Sequence, residues 1–252
     1  MNAAVGALLK REILRFARQR SRWIGALGTP LMFWLFIGGG LGSSFRMPGL
    51  ETGPTSYLGY FFPGAIFLSV LFTAIFSTIS VIEDRHEGFL QGVLTSPTPP
   101  MALVLAKMLG GALLGLAQAG LMLAIAPLLG LELSILRVLA AFVLLFVSGF
   151  WLTGLGFYFA WKLDSVQGFH GVMNTVLVPL WLLSGAVFPS GGSAVPLQWA
   201  TRLNPLSYEV AGLQALLWEE SFPWTAWGMA LSLGVGLSIL LVLVGERMTS
   251  RR

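Results

Sequence analysis

The sequence predicts an all-α polytopic membrane protein with six transmembrane helices, and three observations carry that reading. Charged residues are 10% of the 252 positions and apolar ones 56%, against roughly 25% charged in a soluble domain, and the mean hydropathy is +0.80. Removing the charged positions leaves six windows, 23–45, 52–82, 108–131, 138–161, 165–201 and 221–245. Each reaches the ~20 residues that cross ~30 Å of hydrocarbon as a helix, a form that satisfies its own backbone hydrogen bonds. With the N-terminus placed inside, inner segments hold Lys10, Arg11, Arg15, Arg18, Arg20, Arg22, Arg85, Lys107, Lys162, Arg247, Arg251 and Arg252, and outer segments only Arg46, Arg137 and Arg202. That asymmetry predicts both termini and the 83–107 segment in the cytoplasm. The net charge of +4 is thus a topology signal, and no nucleic-acid partner is expected. The absence of cysteine excludes disulfides and thiolate metal sites.

Residues 1–23 precede the first window. On a helical wheel Arg11, Arg15, Arg18 and Arg22 share one face, and Leu9, Ile13, Phe16 and Trp23 the opposite one. The pattern predicts an interfacial helix with its arginines toward anionic headgroups; an ordinary basic flank gives the same charge excess. A cleaved leader is disfavoured, because Gly-Ser-Ser at 42–44 lacks a small-x-small alanine site.

The first span is expected to end in the glycine cluster at 38–42, followed by a turn-rich external loop holding Pro48, Gly49, Gly53 and Pro54. The second carries Ser69, Thr73, Ser77 and Ser80 at spacings of four, four and three, hence on one helix face. With Phe76 they form a candidate substrate path, although membrane serines and threonines more often bond to a neighbouring helix or their own. The third contains Gly111-Ala-Leu-Leu-Gly115, a close-packing pattern, and Pro127 is expected to kink its outer end. The fourth returns at Lys162-Leu163-Asp164.

The 165–201 window is too long for one crossing. A helix over about 166–188 is expected to break at Pro189 through Pro196 on the outer side; 197–203 and 206–218 are apolar but too short to span and read as re-entrant or interfacial helices. The last span, about 224–245, ends in Glu246, Arg247 and a basic tail.

The 83–107 segment is the longest polar interruption: Glu83, Asp84, Arg85, His86, Glu87 and Gly88, then Phe89, Leu90, Val93, Leu94, Pro97 and Lys107. Glycine lets a short helix begin and proline ends it, charged ends orient it on a partner, and exposed Phe89, Leu90, Val93 and Leu94 offer that partner a grip. The run resembles the signature of the type-2 ATP-binding-cassette exporter permeases: acidic-x-Arg-x-Glu-x-Gly, leucines, a Thr-Pro or similar pair, and a lysine further on. In that family the segment includes the coupling helix, seated in a groove of the nucleotide-binding subunit. The resemblance therefore implies ATPase-coupling roles for Glu83, Arg85, Glu87, Gly88, Phe89, Leu90, Leu94, Pro97 and Lys107. Gln91 and Gly92, where many relatives are acidic, and Pro99-Pro100 depart from the pattern.

The stretch Leu183-Ser-Gly185-Ala-Val-Phe188-Pro189 and the later Leu203-Asn204-Pro205-Leu206-Ser-Tyr208 resemble the same permeases. There this region, here 189–220, forms short external helices capping the path, which implies lid roles for Gly185, Pro189, Asn204, Pro205 and Tyr208. Gln214, where many relatives carry arginine, is a departure.

Catalytic alternatives fit poorly. A phosphate-binding loop needs Gly-x-x-x-x-Gly-Lys before Ser or Thr, and Lys10, Lys107 and Lys162 all lack the preceding glycine. A serine hydrolase using Ser184 and His170 fails because the two lie ~21 Å apart on one helix. An ion-coupled carrier needs an ionisable group inside the bilayer; the windows hold no carboxylate, lysine or arginine, and His170 reads as a satisfied polar residue near a helix end or, less simply, a relay.

The expectation is a single transmembrane permease domain over 1–252, a transport subunit and not an enzyme. It would bind no cofactor itself, ATP and Mg belonging to a separate nucleotide-binding subunit, and would pair with a second permease, most simply a copy of itself. The resemblance also implies outward transport across a bacterial inner membrane, and a path with hydroxyls and aromatics but no buried charge suits an amphiphilic drug, lipid or lipid-linked glycan as cargo.

Overall fold

A computed structural model of the chain describes residues 2–41, 56–189 and 194–250. The expected external loop with Pro48, Gly49, Gly53 and Pro54, the Gly-Ser-Ser stretch at 42–44, and the middle of the Pro189–Pro196 break lie outside the described residues. All regular secondary structure among the described residues is helical, without strands.

Helix α1 (Asn2–Arg18) ends at Gln19, whose backbone leaves the helical region (φ −95°, ψ 87°). The chain restarts as α2 (Arg20–Leu41), which contains two wide turns, Ile24–Gly28 and Trp34–Gly38. Helix α3 (Tyr57–His86) starts at Ser56, whose hydroxyl accepts from Gly59 N, as an N-cap should. It is apolar all round and enclosed along most of its length, the behaviour expected of a helix at the centre of a bundle.

Helix α4 (Phe89–Thr95) is a seven-residue element between Gly88 and Ser96. Helix α5 (Pro100–Leu123) opens with proline in its first turn, where the missing N–H does no harm. It closes into a 3-10 turn, Ala126–Leu129, so Pro127 sits after the helix and does not kink it. Helix α6 (Ile135–Lys162), α7 (Val166–Leu182), the short α8 (Val195–Leu203) and α9 (Pro205–Trp218), and α10 (Trp224–Ser250) complete the chain.

Among the described residues, five helices, α2, α3, the α5 region, α6 and α10, are long and apolar enough to cross a membrane. Helix α7, expected over 166–188, stops at Leu182 and has only 17 residues, ~26 Å by helical rise. Its early end coincides with Pro179 within the helix and with Gly185 in the left-handed region (φ +81°). The 165–201 window therefore folds into a helix shorter than expected, and that helix is not among the five long enough to span.

Helix α3 packs on α5, α6, α7 and α9, and α10 closes against α5, α6 and α9. At the α3–α5–α6 crossing a Cβ on Gly111 would lie 2.4 Å from Thr153 Oγ1 and 2.8 Å from Ser77 Oγ, so only glycine admits this approach, as at other membrane helix contacts. Helices α2 and α10 stay largely uncovered and present Ile24, Met32, Phe36, Met229, Ile239 and Leu240 outward, surfaces suited to lipid.

Candidate functional site

Helix boundaries change the character of the 83–107 segment. Glu83, Asp84 and Arg85 are the last turn of α3, and Lys107 lies inside α5 rather than at its start. Asp84 is fully enclosed, and Lys107 is 4% exposed. A lone buried charge is expensive, and here each is answered. Lys107 Nζ donates to Asp84 Oδ2 (2.6 Å), Glu12 Oε1 (2.7 Å) and Ser80 Oγ (2.8 Å), which uses all three of its protons. Arg11 donates to both Asp84 oxygens, at 2.6 and 3.1 Å, in the forked geometry its planar head favours.

Arg15 reaches Asp84 as well, and donates to Glu83 Oε2 and Glu87 Oε1 at 3.0 Å each. Arg22 donates to Glu83 Oε1 (2.6 Å) and to the Phe76 carbonyl (3.2 Å). Four cations, Arg11, Arg15, Arg22 and Lys107, thus meet four anions, Glu12, Glu83, Asp84 and Glu87, and the assembly is formally neutral. Burial by itself lowers the pKa of Arg11, but the hydrogen bond and charge of Asp84, with Glu12 and Glu87, outweigh it and leave the net shift upward. Paired and hydrogen-bonded in this way, the charges fix α1, α3 and α5 in one relative position.

This overturns the expected orientation of α1. Arg11, Arg15 and Arg22 turn to carboxylates of α3 and of α1 itself rather than to headgroups, because a low-dielectric carboxylate outbids a hydrated surface for a guanidinium. The inward face of α1 carries Glu12 and Phe16, both buried; Lys10 and Arg18 remain exposed.

Arg85, on the same turn of α3, serves a different helix. It donates to the carbonyls of Trp161 (2.6 Å), Leu163 (3.1 Å) and Ala160 (3.3 Å) and to Asp164 Oδ1 (2.6 Å). A cation on the last carbonyls of α6 satisfies orphan acceptors and opposes the helix dipole.

Gly88 connects this assembly to α4. Its φ of +78° is the left-handed conformation that ends α3, with Gly88 N bonded to Arg85 O, and a side chain there would be strained. The apolar residues of α4 do not present an exposed grip. Leu90 is buried, Leu94 packs on the core, and the Phe89 ring lies under the Arg11 guanidinium, 3.6 Å from its centroid. They hold α4 to the bundle; Gln91, Gly92 and Thr95 face outward with His86, Glu87 and Pro97. Seven residues are too few to stand alone as a helix, so tertiary contact has to hold them. Ser96 ends α4 in an extended conformation before Pro97.

Among the described residues the hydroxyl stripe is packed within the bundle. Ser69 donates to Ile66 O, Thr73 to Ser69 O, with its oxygen also 3.0 Å from the Gln118 side-chain amide, and Ser77 to Ala74 O; all three are buried in helix packing. Phe76 lies on another face, against Phe72 and His170. His170 is thus an aromatic-packed residue.

The residues expected in the lid gather at the other end of α3, ~36 Å of helical rise from Asp84. Tyr57 Oη donates to Val187 O (2.8 Å), Tyr60 Oη to Gly185 O (2.6 Å), and Trp181 Nε1 to Gly64 O (2.8 Å). Asn204 caps α9 by accepting from Leu206 N and donates to Leu180 O at 2.6 Å. Pro205 starts α9, Tyr208 Oη donates to Arg202 O, and Pro189 lines the cavity beside them.

Sequence reasoning missed Glu12 and Glu209. Glu12 was masked by the arginines around it. Glu209 falls outside the charge-free windows, yet α9 folds it fully into the bundle, where Oε1 accepts from Trp151 Nε1 (2.7 Å) and Oε2 has no partner among the described residues. Trp151 stands ~24 Å and ~16 Å of helical rise from the two ends of α6, near the middle of that helix. The expectation of a bundle without an interior carboxylate is thereby corrected: the window test saw a short apolar helix with one acid and could not see where it docks.

Comparison with known proteins agrees with this architecture. Residues 3–218 match the ABC-2 type transporter family. The chain is 24% identical over 244 residues to a protein named as a transport permease, ycf38, of Cyanophora paradoxa, covering 94% of this chain and 83% of that one. It is 30% identical over 190 residues to nodulation protein J of Rhizobium leguminosarum bv. trifolii, covering 74% and 70%. The helical bundle, the acidic end of α3 with its short following helix, and the match over most of the length agree: the chain is a multi-pass membrane protein of the ABC-2 type transporter family, a transport permease that works with an ATP-binding subunit.

Proposed function

We propose that this chain is the permease half of an exporter that moves an amphiphile outward across a bacterial inner membrane, with both termini cytoplasmic, paired with a second copy of itself. ATP and Mg are bound, and ATP is hydrolysed, on a separate chain. The observation that carries the reading is the neutral ion-pair assembly around Asp84 directly behind α4. A push on the outward residues of α4 passes through Gly88 to α3, through the Phe89–Arg11 contact to α1, and through Lys107 to α5, so three helices move as one body. Rigid-body motion of this kind is a standard way to alternate access. Glu87 joins that body through Arg15 while its own side chain remains largely in solvent.

Reconstitution into nanodiscs tests this. The chain alone should hydrolyse no ATP; with its ATP-binding subunit it should do so, and Glu87→Ala or Gly88→Pro should separate hydrolysis from transport. Robust hydrolysis by the chain alone would sink the reading, as would labelling of residues beside α4 from outside intact cells. Glu209 favours one second reading, an ion-coupled carrier, because interior carboxylates serve as proton sites in carriers. Transport driven by a proton gradient without ATP, and abolished by Glu209→Gln, would select it.

A further inference from the structure

Among the described residues two acids are fully enclosed, Asp84 and Glu209, and their surroundings are opposite. Asp84 is met by Arg11, Arg15 and Lys107; no cation meets Glu209. Its N–H donor is the indole of Trp151, 2.7 Å from Oε1, and Oε2 receives no hydrogen bond among the described residues. The Ser148 hydroxyl lies beside the same carboxyl but gives its proton to Leu144 O (2.8 Å). On the other side α10 approaches so closely that a Cβ on Gly234 would stand 2.7 Å from Glu209 Oε1. Helix α9 packs on α10, α6, α3, α7 and α8, and the titratable groups of those helices are engaged elsewhere. Arg137 of α6 holds the carbonyls of Leu216, Glu220 and Ser221. Tyr60 of α3 holds Gly185 O, His170 of α7 lies against Phe76, and Arg202 of α8 lies over Trp199. Glu246 and Arg247 of α10 are ~18 Å or more of helical rise beyond Gly234.

A carboxylate taken out of water needs cations or several donors, and without them it is stable only as the neutral acid. One indole N–H, an idle oxygen and no cation make the setting of a neutral acid: one oxygen accepts from Trp151 while the other carries a proton, with the lone pairs of Ser148 beside it. We propose that Glu209 is a positioning residue that seats the middle of α9 between α6 and α10 only while it holds a proton, and that loss of the proton frees α9 from this groove. The ends of α9 stay tied by Asn204 and Arg137, so the movement is confined to its middle. Proton counting gives the sign. Seated α9 holds one proton more than unseated α9, whose hydrated carboxyl ionises above about pH 4.3. Seating is therefore strongest in acid and weakens about tenfold per pH unit as pH rises, until the enclosed acid itself ionises. The inference does not depend on how transport is driven.

The sequence has no cysteine, so a single introduced thiol reports on one place. Leu213→Cys puts it on the enclosed face of α9. In nanodiscs its rate of labelling by a charged methanethiosulfonate is compared with that of the same chain carrying Glu209→Gln, whose amide offers Trp151 an acceptor and Ser148 a donor without titrating. The ratio of the two rates cancels the thiol's own pH dependence. It should rise about tenfold per pH unit from about pH 5 to about pH 7. A ratio independent of pH, as a merely structural hydrogen bond would give, would overturn the proposal. Infrared spectra of the cysteine-free chain decide the matter should Leu213→Cys fail to fold. At about pH 6, where hydrated carboxyls are ionised, the protein should show the C=O stretch of a neutral carboxylic acid that vanishes in Glu209→Gln, and its absence would overturn the proposal as well. Neither measurement involves ATP, so a failed exporter assay leaves both outcomes readable.

Discussion

Lys107→Met is the sharpest probe of the ion-pair assembly. The substitution keeps the length and apolar stem of the side chain but removes three charge-assisted hydrogen bonds, to Asp84, Glu12 and Ser80. It also leaves four anions against three cations. Breaking a buried pair from one side typically destabilises by about 3–5 kcal/mol. Asp84 keeps Arg11 and Arg15, and the Arg11 side chain is 30% exposed, so the lower end, about 3 kcal/mol, is expected. At about 2–4 °C per kcal/mol for a chain of this size, the midpoint of thermal unfolding in nanodiscs should fall by about 6–12 °C. Adding Glu12→Gln restores three against three and should return about 1–2 kcal/mol of the loss, a coupling in the range measured for residues within one network. Fluorescence-detected chromatography after heating measures both. A shift under about 2 °C for Lys107→Met, or a double variant no more stable than the single one, would refute the claim that charge balance holds α1, α3 and α5 together.

Other substitutions separate the remaining contacts. Arg85→Ala should destabilise by about 1.5–3 kcal/mol through lost charged hydrogen bonds at the end of α6, with Arg85→Lys recovering only part because an ammonium lacks the fork; thermal midpoints give both. Gly111→Ala drives a methyl into Thr153 and Ser77 and should lower the midpoint by an amount matching about 1–3 kcal/mol, while Gly111→Ala combined with Thr153→Ala should recover much of it. Glu209→Gln keeps an acceptor for Trp151 and should fold normally, whereas Glu209→Leu strands the indole N–H at a cost of about 1–3 kcal/mol, readable as a lower midpoint of thermal unfolding and a smaller fraction of monodisperse protein after purification.

Much of the site could be read along the chain because the signals were local. Glu83, Arg85, Glu87, Gly88 and Pro97 announce a helix end, a left-handed turn and a stop, and the structure places each at such a boundary. The direction in which side chains point was another matter. Phe89, Leu90 and Leu94 read as exposed because nothing in a sequence shows which surface lies beside a seven-residue helix, and in the fold that surface is α1 with the core. The arginines of α1 were assigned to lipid for the same reason: their partners, Glu83, Asp84 and Glu87, are about 70 residues away, and pairing across that separation follows from tertiary approach, not from spacing.

Composition and the period of apolar runs determined the solvent, the helical class and the positions of the main spans, since a hydrocarbon environment leaves a backbone of this hydropathy few other ways to satisfy its hydrogen bonds. Only tertiary structure decided that Glu209 is interior, that the Ser69–Thr73–Ser77 stripe is packed rather than open, and that α7 is shorter than its window. Those outcomes depend on which neighbours close over a side chain, and burial of a polar atom is a property of the assembled contacts rather than of the segment that carries it.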